Sequence, residues 1–296
     1  MRRPIIVVFL SLFLMAFQAL AAERGALFKA SQGANVLYLY GTIHAGKPEY
    51  YPLEPRIRTA MAAAPTLALE IDAAGDPAAI AAAMMKHGMF PAGTPGLSGL
   101  PAERRQRIEA ALRKQGIEPA AVDRLKPWML VMTLALVDAM KMGYDPKLGV
   151  DAHLAELARA GGKTRIAELE SMEYQASLLN RMSVDDQWKL LEESLDHADS
   201  GRQMREAKEL FAAYESADQA ALERIARRME EDDSFSGKFM REYLMDERNG
   251  PMADKVASLL ARENNAVVAV GLLHLVGKGG VPELLRKRGI KVERLY

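Results

Sequence analysis

The sequence predicts an α/β fold: a single domain whose mixed sheet is built from both ends of the chain, with a large helical insertion or cap between them. Three observations predict it. Two copies of one short pattern, GTIH at Gly41–His44 and GLLH at Gly271–His274, each close an apolar, β-type run and lie far apart in the chain. Strand-like segments cluster toward the two ends, while the middle carries helical periodicity. There is no cysteine, and 49% of the residues are hydrophobic, so stability must come from an apolar core rather than from disulfides.

The elements follow in order. ALFKA and NVLYLY flank Ser31-Gln32-Gly33-Ala34, a polar break that reads as a hairpin leading into GTIH. Pro52 to Ala64 is helical, with Ile57 and Met61 on one face, and Pro65 ends it. TLALEIDA is the next strand and carries Glu70 near its end. From Pro77 to Ala160 four helices follow: PAAIAAAMMKHG, PAERRQRIEAALRKQG, PWMLVMTLALVDAMKMG and VDAHLAELARAGG, most of them stopped near a glycine. Trp128 to Met142 is apolar nearly all round, so it should be the most buried of the four. TRIAELE reads as a short strand. The insertion around residues 171–247 then holds five charged helices: Glu173 to Asn180, Val184 to His197, Gly201 to Glu215, Asp218 to Glu230 and Lys238 to Met245. ADKVASLLARENN leads back to the strand AVVAVG, GLLH, the helix VPELLRKRG and a last strand, IKVERLY.

Residues 1–21 are an address rather than part of this domain, which runs from 22 to 296. Arg2 and Arg3 precede the apolar IIVVFLSLFLMAFQAL, and Ala19-Leu20-Ala21 gives a small-x-small cleavage pattern. A cleaved secretory signal and a periplasmic location are expected; an uncleaved segment would tether the protein to a membrane. Lysine plus arginine balance aspartate plus glutamate at 39 each, so no global field favours nucleic acid. The basic clusters at Arg104-Arg105-Gln106-Arg107 and Arg286-Lys287-Arg288 read as solvated helix faces. HExxH, GxSxG and Walker patterns are absent.

His44, Glu70 and His274 each follow a strand-like run, so all three can meet at one edge of the sheet. Glycine beside each histidine would let the backbone turn sharply. Two imidazoles and a carboxylate make a common catalytic metal set that leaves a position for water. The bland alternative is a pair of loop-capping histidines.

Order and spacing of LYLYGTIHAG, LALEID, RLKPWML, GVDAHL, AELESMEYQ, DERNGPMADKV and VGLLHLVGKGGVPELLRKRGIKVERL mean that residues from about Val36 to Leu295 resemble the TraB/GumN family. That family includes the Tiki proteases and is distantly similar to the EreA/ChaN-like folds. The resemblance implies a metallopeptidase, a peptide or protein substrate, and manganese or cobalt as cofactor, with zinc as a further candidate. It assigns metal binding to His44, His274 and Glu70 and puts the arginine of the family's RN motif at Arg248.

Glu70 is then either a third ligand or the general base. Arg248 would neutralise a developing oxyanion or hold a substrate carboxylate, the alternative being a helix-end arginine paired with Asp246 or Glu247. Glu168 and Glu170, placed on one face by strand alternation, could orient an imidazole or cap the following helix, where Gln175 also lies. Asp151 reads as a helix N-cap or as a partner behind the site. His87, His153 and His197 do not read as ligands, and Met84-Met85 and Met129-Met132 read as core. Two other readings stay open: a non-catalytic haem or iron binder like ChaN, and a metal-free His/Glu hydrolase like erythromycin esterase.

Overall fold

In the computed structural model, which describes residues 22–296, the sheet has six strands in the order β4-β3-β5-β2-β1-β6. The signal segment expected at residues 1–21 lies outside the described residues. β1 (Leu27–Gln32) and β2 (Asn35–Thr42) form the antiparallel hairpin, and β6 (Lys291–Arg294) adds antiparallel to β1. β3 (Thr66–Leu69), β4 (Arg165–Glu168) and β5 (Ala266–Gly271) run parallel to β2. β5 lies between β2 and β3, so the last part of the chain inserts into the middle of the sheet. Its residues Ala266 to Val270 are all buried, as a parallel strand covered on both faces requires.

Three crossovers make the parallel part. α1 (Pro55–Ala63) links β2 to β3, and α6 (Val150–Gly161) precedes β4. α12 (Glu247–Arg262) precedes β5. The first two crossovers move toward β4 and the last moves back, so right-handed connections place α1 and α6 on one face and α12 on the other. α1 starts because Glu54 accepts from the Arg56 and Ile57 amides and Pro55 occupies the first turn. The apolar side of α12 (Met252, Ala253, Val256, Leu259, Leu260) is wholly buried in the main core.

The remaining helices are α2 (Pro77–Gly88), α3 (Ala102–Lys114), α4 (Pro119–Val122), α5 (Pro127–Lys141), α7 (Met172–Leu179), α8 (Val184–Asp199), α9 (Arg202–Glu215), α10 (Gln219–Glu231) and α11 (Phe235–Phe239), with α13 (Val281–Lys287) before β6. α5 departs from the expectation of deep burial. Trp128, Leu130 and Leu134 are buried against α8, but Met132, Leu136 and Met140 lie on the outer face at 41%, 43% and 56% exposure. An all-apolar helix here has only one partnered side. The methionine pairs split likewise: Met84 and Met129 pack against the cluster of Trp128, Ala176, Leu190 and Phe239, while Met85 and Met132 are exposed.

The glycines of the two GxxH runs also act differently from expectation. Gly41 stays in β2, where a Cβ would lie 2.7 Å from Leu272 Cδ1 and 3.3 Å from Leu272 Cα. Close approach, not a turn, requires glycine there. Among the described residues no helix is long and apolar enough to cross a membrane.

Because Leu272 is buried, Gly41→Ala should force the second GxxH turn away from β2 and destabilise the fold by about 1–3 kcal/mol. Urea denaturation measures this; a midpoint equal to that of the wild type would contradict it.

Candidate functional site

The carboxyl ends of the four parallel strands carry the candidate residues. β2 ends at Thr42 and a bend brings His44 over the sheet edge. Glu70 follows β3, and Glu170 follows β4 two residues past its end. The Glu170 amide donates to the Glu70 carbonyl at 2.9 Å, keeping these two segments side by side beyond the ladder. β5 ends at Gly271, and the short 3-10 turn Leu272–Leu275 presents His274. A Cβ on Gly271 would lie 3.1 Å from Glu70 Oε1, 3.6 Å from His274 Cδ2 and 3.8 Å from His44 Nε2. Thus the two histidines and Glu70 converge on one point, which glycine leaves open.

Arg248 closes the floor. Its Nη2 donates to Glu70 Oε2 at 2.6 Å and to Glu170 Oε2 at 2.7 Å, and its Nε donates to Glu170 at 3.0 and 3.2 Å. Gln175 of α7 donates to Glu170 Oε2 at 2.8 Å, and the Gly271 amide donates to Glu70 Oε1. All three charged groups are buried. The helix that delivers Arg248 is unusual: residues Met240–Asp246 form a π-helix that runs directly into α12. Pro251 has no N–H for the carbonyl of Glu247, four residues earlier, and Tyr174 Oη–H donates to that carbonyl at 3.4 Å instead. Wide turns of this kind commonly mark functional segments.

Asn249 orients His274. Its Nδ2 donates to the Gly279 carbonyl at 2.9 Å, so its Oδ1 must accept, and His274 Nδ1–H donates to it at 2.6 Å. In the neutral ring this leaves the Nε2 lone pair free, 3.7 Å from Glu70 Oε1. His44 has a looser partner: Nδ1 lies 3.3 Å from Asp151 Oδ1, an ion-pair contact, and that oxygen has no aligned hydrogen bond. His44 is the exposed member of the group, with 70% of its side-chain surface open to solvent.

These surroundings separate the two imidazoles. Contact with Asp151 outweighs burial and raises the His44 pKa to about 9. Burial, only partly opposed by Glu70, pushes His274 down to about 4, so it is neutral at pH 7. Burial alone would push Glu70 up, but His274 when protonated, Arg248, His44 and the Gly271 amide hold it at about 2. Three carboxylates, Glu70 and Glu170 on Arg248 and Asp151 beside His44, outnumber the arginine and the protonated His44, so the balance of charge favours a cation. Its donors, a neutral imidazole with a free Nε2, an ionised carboxylate and a second imidazole, fit a divalent metal in kind. Tetrahedral ligands at about 2.0 Å stand about 3.3 Å apart, close to the His274–Glu70 separation. Among the described residues no three such side chains are already close enough together to enclose an ion, and His44 is the open member.

The other sequence candidates divide between the site and its surroundings. Arg248 pairs with Glu70 and Glu170 and not with its chain neighbours; Glu247 instead pairs with Arg181. Its Nε and Nη2 are spent on carboxylates and its Nη1 donates to the Leu244 carbonyl, so it clamps the floor of the site. Glu168 and Glu170 do not share an environment, because β4 ends at Glu168. Glu168 is exposed and accepts from the Asp72 amide, while Glu170 is buried on Arg248. Neither glutamate caps α7; Ser171 does. Asp151 is likewise not an N-cap, since Gly149 holds that position and Asp151 lies in the first turn. His87 contacts Glu173, His153 lies against the Tyr51 ring, and His197 contacts Arg202. Asn249 and the Gly271 amide were not singled out from the sequence. The adjacency of Arg248 and Asn249 was the available signal for the first.

Sequence comparison gives the class to which this mixed α/β chain belongs. Residues 26–294 match the TraB/PrgY/gumN family, and the chain belongs to it. Among curated relatives, a protein of Escherichia coli (strain K12) described as uncharacterized protein YbaP is 26% identical over 254 residues, covering 86% of this chain and 89% of YbaP. The YbaP of Shigella flexneri is 26% identical over 249 residues, covering 84% and 87%. No solved structure matches the chain.

Arg248→Met should leave two buried carboxylates uncompensated and cost about 3–5 kcal/mol of stability at pH 7. Glu70 has a depressed pKa, so its stabilising contribution is present above its unfolded value of 4.5 and is lost as pH falls toward 2. In the variant much of that acid dependence should vanish. Equal stabilities across pH 7 to 3 for the two proteins would refute the clamp.

Proposed function

We propose that this protein is an exported, periplasmic metal-dependent hydrolase that cleaves peptide bonds, with His44, His274 and Glu70 holding a divalent cation. Manganese and cobalt are the first candidates and zinc the next. The observation that carries the reading is the meeting of both GxxH histidines and Glu70 around Gly271, with Asn249 leaving Nε2 of His274 free. Family membership and the expected export signal support it.

A bound divalent ion supplies Lewis acidity, lowering the pKa of water and polarising a substrate carbonyl. The chain's own residues do the rest. Glu70, held ionised at about 2 and bonded through both oxygens, is a weak base and serves better as an anionic ligand. Arg248 and Glu170 fix its carboxylate plane, and Asn249 fixes the His274 tautomer. Asp151 lies 3.3 Å from His44 Nδ1, and Nε2 is the ring nitrogen that faces Gly271.

Near-stoichiometric metal by plasma mass spectrometry, after exchange against manganese, cobalt and zinc, is expected in the wild type and should be lost in His44→Ala/His274→Ala. Negligible metal in both would overturn the reading. Because the metal-free protein holds the His44 proton up to about pH 9, metal uptake at pH 7 should release about one proton, and affinity should rise toward pH 9. Calorimetry in buffers of different ionisation enthalpy measures that release; none at pH 7 would remove His44 from the ligand set.

A further inference from the structure

We propose that the free edge of β4, with the trough beside it, seats an extended cationic segment of the substrate, remote from the bond that is cleaved. This deepens the peptidase reading and rests on it for the word substrate. β4 is the last strand on its side of the sheet. The Arg165 amide donates to the Pro65 carbonyl and the Leu169 amide to the Leu69 carbonyl, so the alternating residues Ile166 and Glu168 turn their backbone N–H and C=O groups away from β3. Such an edge is a template for an added strand.

The edge opens into a trough of about 600 Å³ between β4 and α2. Its apolar lining includes Ile71, Ile80, Ile166 and Met172, surfaces that can receive alternate side chains of a strand. Its charged lining is Asp72, Asp76, Glu168 and Glu173 against Lys86 alone. Asp72 pairs with Arg159, and Glu173 with Lys86 and His87. Asp76 and Glu168 have no cationic partner among the described residues. A segment rich in lysine or arginine therefore fits better than an acidic one.

Connectivity ties the trough to the candidate centre. Ile71 and Asp72 follow Glu70 directly, and Ser171 and Met172 follow Glu170, so the trough begins where the floor of the site ends. A strand added outside β4 lies three strand spacings from β5, about 14 Å, which an extended chain crosses in about four residues. The seated segment should thus be separated by about four residues from the bond held at Gly271.

The test is fluorescence polarisation with a labelled octapeptide of alternating lysine and valine, beside the same peptide N-methylated on four consecutive residues to block strand pairing. The unmethylated peptide should bind at least about tenfold more tightly. Ile166→Pro removes an outward-facing N–H and fixes an extended φ, so β4 should persist while binding falls; Ile166→Val should bind normally. Asp76→Asn, which retains the α2 cap, should weaken binding and flatten its salt dependence. Equal binding of the two peptides, which does not depend on any variant folding, would overturn the proposal. So would a dimer through β4 that excludes the peptide. His44→Ala/His274→Ala should still bind the octapeptide while losing hydrolysis. Binding without metal or hydrolysis in the wild type would sink the peptidase reading and spare the docking edge, whereas hydrolysis without binding would do the reverse.

Discussion

The arrangement depends on one buried guanidinium. Arg248 reaches from α12, on one face of the sheet, to carboxylates at the ends of β3 and β4. Two glutamates with backbones joined by a hydrogen bond would repel one another in a low-dielectric site, and Arg248 makes their proximity tolerable. The clamp also couples distant parts of the chain: the end of β3, the end of β4 and the helix that returns to the sheet. Its cost is the desolvation of three charges, offset only because nearly every donor on the guanidinium finds an acceptor.

On that floor the two histidines, descended from similar local patterns, acquire opposite character. His274 is buried behind Asn249 and resists protonation, whereas His44 lies open to solvent beside Asp151 and attracts a proton. The strands that carry them are parallel neighbours, but Gly41 pairs with Val270 and Thr42 with Gly271, so the copies are offset by one residue. Beyond the strands the backbones diverge, a bend for the first and a 3-10 turn for the second. Equal motifs therefore do not produce equal sites.

The helical middle illustrates where local pattern misleads. α5 has the composition of a buried helix, yet one of its faces has no partner among the described residues. Periodicity reports how apolar a face is and not whether another element reaches it. Similarly, alternation placed Glu168 and Glu170 together because it assumed a strand that continued; the strand stops at Glu168, and the next two residues follow the Arg248 clamp and the Ser171 cap.

The sequence by itself determined the α/β class, the strands and most helices, because hydrophobic period, proline, glycine and capping residues act over a few neighbouring positions. It also placed His44, Glu70 and His274 at strand ends. Only the tertiary structure decided that β5 enters between β2 and β3, that Arg248 serves two glutamates, and that Asn249 governs His274. These are contacts between residues 25 to 229 positions apart, set by strand order and helix docking, and no local pattern encodes them. The protonation states of the two histidines follow from the same contacts, since burial and neighbouring charge are properties of the assembled fold.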